Sequence, residues 1–372
     1  MKNRQFHLPS PGQLGFGALG ALSILLLLLF AEQAVPAAKQ GLLLCYKTVI
    51  PALFPFMVCS ELLISCGGAE LLGRALSRPM QAVLGVPGAA ACPVLLGALC
   101  GFPVGARATA ALYDQGQLSA RQCTRLLTFV NNPSSAYLIS AVGVSLFGSR
   151  RLGILLLTTS LALSFVTAQL TRLTFKGDLD TKPPLPPKHV RVNADVFVSS
   201  VTAAAANMLS VCALVVFFSA TVGALQGLVS GLPQPGIALL RGFFELSGGM
   251  AEAAKIPDVA ISASLCALFS GWSGLSVLCQ IAAVCRGRGI RLLPYVLAKL
   301  LQGLVGAAIV YLTVKHLFPL LPPENVHAVL LVPGDAALWL AGTLNVAFLA
   351  ACATLVRRIC KSMHRPGTAD IY

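Results

Sequence analysis

Two interruptions in apolar stretches hold the groups with which this chain could do chemistry. Gly101-Phe102-Pro103-Val104-Gly105 breaks an apolar helical stretch running from about 89 to 113, and Gly271-Trp272-Ser273-Gly274 breaks another from about 259 to 285. Their leading glycines lie 170 residues apart. In lipid, irregular backbone survives only where it is buried in protein or lines a wet cavity. A helix that stops at membrane depth presents N–H groups carrying about half a positive charge, which favours an anion. Gly101, Gly105, Gly271 and Gly274 permit tight turns and close approach of a solute to backbone. A kink or close helix packing uses the same residue types. The matching position of two breaks favours a transport site, for which paired interrupted segments are a pointer.

Further polar groups lie in the same apolar surroundings. Arg107 reads two ways: as a guanidinium gripping a carboxylate through two parallel hydrogen bonds, or as a snorkelling side chain at an interface. Asn131-Asn132-Pro133-Ser134-Ser135 is a polar, helix-breaking run between apolar segments. Asn131, Asn132 and Ser134 offer donors and acceptors without charge, and Gln302 stands at the 170-residue offset from Asn132. Ser276 and Gln280 are four apart and share a helix face. With Ser273 and Trp272 they make a polar wall beside an aromatic platform, or else interhelical hydrogen bonds. Glu61 and Glu245 are the acidic residues set within apolar sequence. Charged groups there pair, face water or act. Each is a candidate for a coupling proton or cation or for a polar solute group, or for an ion pair with Arg74 or Arg241. Lys299 lies in an apolar helix, with a stem long enough to snorkel.

The elements that position these groups are membrane helices. Hydrophobic residues make up 56% of the 372 and charged residues 11%, against about 25% charged in a soluble domain. Mean hydropathy is +0.80. Apolar runs long enough to cross the hydrocarbon core fall near 14–34, 41–66, 89–113, 122–147, 152–172, 196–229, 259–284, 292–317 and 334–356. The expectation is an all-α polytopic fold of 8–10 membrane elements, in two related halves with broken or re-entrant helices. The parts are an N-terminal membrane helix (1–37), a first repeat (38–172), a Pro-rich cytoplasmic linker (173–193), a second repeat (194–317), and a C-terminal membrane helix with a basic tail (318–372). Both halves run in one order: long helix, amphipathic piece, proline turn (Val86-Pro87 or Ile256-Pro257), broken segment, then a loop with arginines (Arg121/Arg125 or Arg286/Arg288/Arg291).

The net charge of +14 does not mark a nucleic-acid partner. Lys2/Arg4, Arg150/Arg151 and Arg357/Arg358/Lys361 sit in loops and tails, the pattern of cytoplasmic retention. It places both termini inside. The basic, apolar start reads as a retained first membrane helix rather than a signal peptide. Twelve cysteines without a C-x-x-C, and five scattered histidines, support no metal or iron–sulfur site, and no cofactor is expected.

The run from Ile50 to Leu63 (Ile50-Pro51-Ala52-Leu53-Phe54-Pro55-Phe56, through Ser60-Glu61), together with Cys100-Gly101-Phe102-Pro103-Val104-Gly105-Ala106-Arg107, resembles the YlbJ-type sporulation integral membrane proteins. Phe129-Val130-Asn131-Asn132 and the run from Gly271 to Val277 resemble them more loosely. The likeness covers roughly 38–315. That family belongs with the nucleoside-recognition Gate domains, similar to parts of concentrative nucleoside transporters and ferrous iron transporters. The resemblance implies a bundle with internal repeats and re-entrant elements and, in spore-formers, a role in moving dipicolinate across a forespore membrane. An aromatic dicarboxylate would suit half-helix N-termini, Arg107 and the amides. No P-loop is present, so an ATP motor or GTPase is not expected.

The leading reading is therefore a secondary carrier or permease in the bacterial inner or forespore membrane. Its partners would be the bilayer, a small polar or anionic solute such as dipicolinate, a coupling proton or sodium ion, and other membrane proteins. The alternative is a non-transporting scaffold or subunit needed for spore or envelope assembly. An enzyme acting on lipid-linked substrates would need an acid–base or nucleophile cluster near an interface, and no such cluster is legible.

Overall fold

A computed structural model describes residues 11–175, 194–228 and 231–317. The segment read as linker, from 176 on, and the C-terminal span and tail lie outside the described residues. In chain order the helices are α1 (Pro11–Leu29), α2 (Ala31–Leu44), α3 (Ile50–Ser65), α4 (Gly68–Ala75), α5 (Ser77–Pro79), α6 (Ala91–Leu99), α7 (Val104–Asp114), α8 (Ala120–Val130), α9 (Arg150–Thr174), α10 (Ala194–Leu228), α11 (Gln234–Phe244), α12 (Leu246–Ala253), α13 (Val259–Trp272), α14 (Gly274–Cys285) and α15 (Leu293–His316). Wider π-helical segments occupy Cys45–Val49, Met80–Leu84 and Tyr137–Leu146. Among the described residues there is no strand, and the fold is all-α and polytopic.

Among the described residues, four helical stretches are long and apolar enough to cross a membrane: Arg150–Thr174, Ala194–Gly227, Val259–Cys285 and Leu293–His316. Three bent pairs raise the number to as many as seven, with bends of 100°, 79° and 90°. The run expected as one span at 41–66 belongs to a longer helical path, α2 through Cys45–Val49 into α3. Pro51 and Pro55 lack the N–H that would reach back one turn, and the backbone ahead of Pro51 widens into the π-helical turn. The expected span at 122–147 is divided at Asn131–Ser134, between α8 and Tyr137–Leu146.

Local chemistry sets several helix starts. Ser119 Oγ accepts from Gln122 N at 3.1 Å while Gln122 Oε1 accepts from Ser119 N at 2.8 Å, a reciprocal cap at the start of α8. Asp258 Oδ1 accepts from Ile261 N at 3.0 Å at the start of α13. The carbonyl end of Met80–Leu84 is satisfied from other helices. Arg125 donates to the Leu84 (2.6 Å), Gly85 and Ala168 (3.2 Å) carbonyls. Gln169 donates to Val83 O at 2.8 Å and Arg172 to Ala82 O at 3.1 Å. Arg125, expected as a loop charge, is thus a buried cap for an internal helix end.

Packing without a hydrophobic drive relies on small residues at helix crossings. The α13/α15 crossing is one example. A Cβ on Gly271 would run into the Gly303 backbone, and one on Gly303 would meet Leu268 O at 2.6 Å. Helices α8 and α9 pack on α15 in turn, and α10 lies along α2 and α3. At the first break, a Cβ on Gly105 would lie 2.5 Å from Val130 O, and one on Gly97 would run into the same carbonyl. We expect Gly271→Ala to lower stability by about 1–3 kcal/mol through overpacking. Gly17, with nothing within 4 Å of a Cβ, is the control: Gly17→Ala leaves the thermal unfolding midpoint in detergent unchanged or slightly raised.

Candidate functional site

Phe102 of the first break and Ser276, just after the second, line one inner cavity. Gly101 has φ +79°, a conformation glycine adopts freely, and a Cβ there would lie 2.5 Å from Ser134 N. Phe102 N donates to Asn132 O at 2.9 Å. The Gly101 break is therefore bonded directly to the Asn131–Ser134 break. Ser134 Oγ accepts from Tyr137 N at 3.1 Å, capping the helix that follows. In the second half, Ser273 is the one non-glycine residue with positive φ (+70°) among the described residues, followed by Gly274 at +81°. A left-handed serine is uncommon and strained. Here α13 ends and α14 begins, with no side-chain cap. A Cβ on Gly274 would lie 3.1 Å from Leu246 N and Phe244 O, so this break abuts the turn at Glu245.

Glu245 caps α12. Its carboxylate accepts from Ser247 N at 2.9 Å and from Gly248 N at 2.6 Å. The α12, α14 and Tyr137–Leu146 starts and the Phe102 turn enclose an inner cavity of about 50 Å³, lined by Phe102, Ser134, Tyr137, Glu245, Ser276 and Gln280 among others. Ser276 is buried and its Oγ has no hydrogen-bond partner among the described residues. Gln280 and Val211 also line a larger cavity of about 470 Å³, so the two adjoin.

The larger cavity lies between α3, α7, α10 and α14. Pro103 and Arg107 come from the first break, Gln280 from the helix after the second, Glu61 from α3, and Asn207 and Ser210 from α10. Arg107 Nε stands 3.8 Å from Glu61 Oε1, beyond hydrogen-bond length. Glu61 Oε1 instead accepts from Asn207 Nδ2 at 3.2 Å. The Arg107 guanidinium forms no hydrogen bond to a described residue, and a third of it is exposed. Arg288 closes one side of the cavity. It binds Asp114 with two parallel bonds, Nε to Oδ1 at 2.8 Å and Nη2 to Oδ2 at 2.7 Å. The partners weighed for the two glutamates from sequence were different. Glu61 faces Arg107 rather than Arg74, and Arg241 pairs with Glu252 at 3.0 Å rather than with Glu245.

The remaining candidates lie elsewhere. Gly105 and Gly271 serve helix contacts. Trp272 donates from Nε1 to Phe243 O at 2.9 Å and stacks on the Phe243 ring, centroids 5.6 Å apart; it lines none of these cavities. Asn131 is buried, with Nδ2 3.4 Å from Leu127 O. Asn132 Oδ1 accepts from Ser164 Oγ at 2.5 Å and from Lys299 Nζ at 3.3 Å. Lys299 does not snorkel: it is 1% exposed, because its amine is held inside by Asn132 and by Gln302 Oε1 at 2.9 Å. Asn207, Ser210, Tyr137 and Asp114 went unremarked in the sequence. Asn207 had a signal, a lone amide closing the run Ala203-Ala204-Ala205-Ala206.

Comparison with known proteins gives two matches. Residues 46–171 match the Gate family model, described as nucleoside recognition. The chain is 30% identical to the sporulation integral membrane protein YlbJ of Bacillus subtilis (strain 168) over 326 aligned residues, covering 77% of this chain and 79% of that protein. No solved structure matches.

The Asp114–Arg288 pair sits outside the spans and is tested by pH. The Arg288 hydrogen bonds hold the Asp114 carboxyl below its ordinary value, and Asp114 in turn raises Arg288. A depressed carboxyl contributes stability above its unfolded pKa and loses it as pH falls through the folded value. Asp114→Asn should therefore be less stable than the parent at pH 7, by at most about 1 kcal/mol for so exposed a pair. The gap in thermal midpoint should close as pH falls below about 4.

Proposed function

The chain belongs to the family of the sporulation integral membrane protein YlbJ, and from that premise we propose that it is a secondary carrier for a small polar anion. The observation that carries this reading is the large cavity, where groups from the first break, from the helix after the second and from α10 meet around an arginine with no hydrogen-bonded partner among the described residues. An anion entering it finds Arg107, with donors to spare, and the Gln280 amide. Deeper in, the uncapped start of α14 carries partial positive charge. Carboxylate binding by a guanidinium is bidentate and directional.

Dipicolinate, an aromatic dicarboxylate, is the solute we put first. One carboxylate would lie on Arg107 and the other toward Gln280 and the α14 start, with the ring against Pro103 and the apolar wall of Val211 and Leu214. Transport then consists of exposing this site alternately to the two sides, by movement of the second half against the first. The breaks supply the backbone irregularity such sites use. The two halves act as related repeats in this reading.

Uptake of labelled dipicolinate into liposomes holding the purified protein, with a nucleoside as comparison, tests it. Saturable dipicolinate uptake is expected. Arg107→Ala should weaken apparent affinity about tenfold or more, the loss of a charged hydrogen bond worth about 1.5–3 kcal/mol, while leaving the unfolding midpoint near that of the parent. Saturable nucleoside uptake instead would keep the carrier and replace the solute. No uptake of either by a folded protein, under proton or sodium gradients, would overturn the carrier in favour of a scaffold.

A further inference from the structure

We propose that Lys299 is the proton-binding group through which this carrier is coupled to a pH gradient. The inference rests on the carrier reading above and names the site of its coupling.

Lys299 sits in the middle of the bundle, not in the cavities that would take solute. Among the described residues its amine donates to neutral oxygens alone, Gln302 Oε1 at 2.9 Å and Asn132 Oδ1 at 3.3 Å. Buried charges in membrane proteins are usually paired with an opposite charge, and among the described residues no Asp or Glu is bonded to this amine. Helix α15 packs on α8, α9 and α13, and not one of these four helices contains an Asp or Glu. Their titratable and charged groups are Arg121, Cys123 and Arg125 on α8, Arg150, Arg151 and Arg172 on α9, Cys266 on α13, and Tyr295, Tyr311, Lys315 and His316 on α15 itself. Every charged group in that set is basic. Ionisable side chains that face the interior of a membrane bundle mark proton and ion pathways, and this amine faces it with no carboxylate on its own helix or on the three packed against it.

The cage connects the amine to the solute site. Asn132 holds Lys299 and Ser164 through its side chain, and through its backbone carbonyl it accepts from Phe102 N at 2.9 Å. Phe102 and Ser134, on either side of that bond, line the inner cavity. Protonated, Lys299 draws Asn132 Oδ1 toward it with a charge-assisted bond. Neutral, it holds that oxygen weakly. The charge on Lys299 thus biases the Asn131–Ser134 break, and whatever occupies the cavity biases Lys299 by the same free energy.

A place for the proton to pass adjoins the cage. Gln302 borders a cavity of about 10 Å³ that Thr159, Ser160, Ser270 and Gly271 also line, room for about one water. Thr159 Oγ1 is buried there without a hydrogen-bond partner among the described residues. The step is simple in its balance: the neutral amine takes a proton from a hydronium ion, leaving water and an ammonium group, and returns it to water later in the cycle.

The test uses purified full-length protein in liposomes, with labelled dipicolinate as the probe. Two rates are read: exchange of labelled for unlabelled solute, which needs no net proton movement, and accumulation driven by a pH gradient. In the parent, both are expected, with about tenfold accumulation per pH unit at one proton per solute. Lys299→Met should keep exchange and lose accumulation. Asn132→Asp, which keeps the lysine and gives it a carboxylate partner, should hold it charged and lose accumulation likewise. If Lys299→Met does not fold, Asn132→Asp decides. Accumulation at the parent level in either folded variant overturns the proposal, as does loss of exchange together with accumulation, which would make the network structural. Exchange in the parent without any response to the gradient overturns the coupling and leaves the carrier standing. No exchange in the parent removes the carrier reading and the coupling with it.

Discussion

Several helices stop inside this protein, and lipid offers none of their ends a partner. That constraint organises the structure. The Phe102 N–H is satisfied by Asn132 O, the Tyr137 N–H by Ser134 Oγ, and the α12 start by the Glu245 carboxylate. At the other pole, the carbonyls of Met80–Leu84 and Gly85 take donors from Arg125, Gln169 and Arg172. Each solution recruits a residue from a different element, so the interrupted helices are tied to one another rather than left to their own hydrogen-bond ladders.

What is left open after this accounting is as informative as what is closed. The α14 start has no side-chain cap, and Ser276 Oγ, in its first turn, has no hydrogen-bond partner among the described residues. These groups face the inner cavity, which shares Gln280 with the large one. The large cavity is close to balanced in charge, with Glu61 near Arg107 and Asp114 bonded to Arg288. The two pairs differ in kind. Asp114 and Arg288 satisfy each other with two bonds, whereas Glu61 is held by Asn207 and stands off from Arg107. The unequal pairing, not an excess of positive charge, is what leaves one guanidinium available.

Glycines that look alike in sequence do different work. Gly101 and Gly274 adopt left-handed backbone and make the turns. Gly105 and Gly271 admit a neighbouring backbone at a helix crossing. No local feature separates the two uses, because φ and the approach of a distant helix are both set by the assembled bundle. Trp272 is a similar case: adjacency to a break suggested a platform for a solute, and the ring instead stacks on Phe243, anchoring α13 to α11.

The sequence by itself determined the class of the protein and the places where its helices break. Composition excludes a soluble domain, and Gly, Pro and Asn in apolar runs interrupt helices wherever they fall, since those effects act within a few residues. It also marked Arg107, Glu245, Ser276 and Gln280 as polar groups in apolar surroundings. Only the tertiary structure decided which of them share a space. Asn132 and Lys299 are 167 residues apart and meet inside the bundle, and Asn207 reaches Glu61 across 146. Lys299 shows the reason most plainly. A long side chain at a given helix position can run outward to an interface or inward to a cage, and the choice depends on whether other helices bring oxygens within reach. That is a property of the packing, which no spacing along one helix contains.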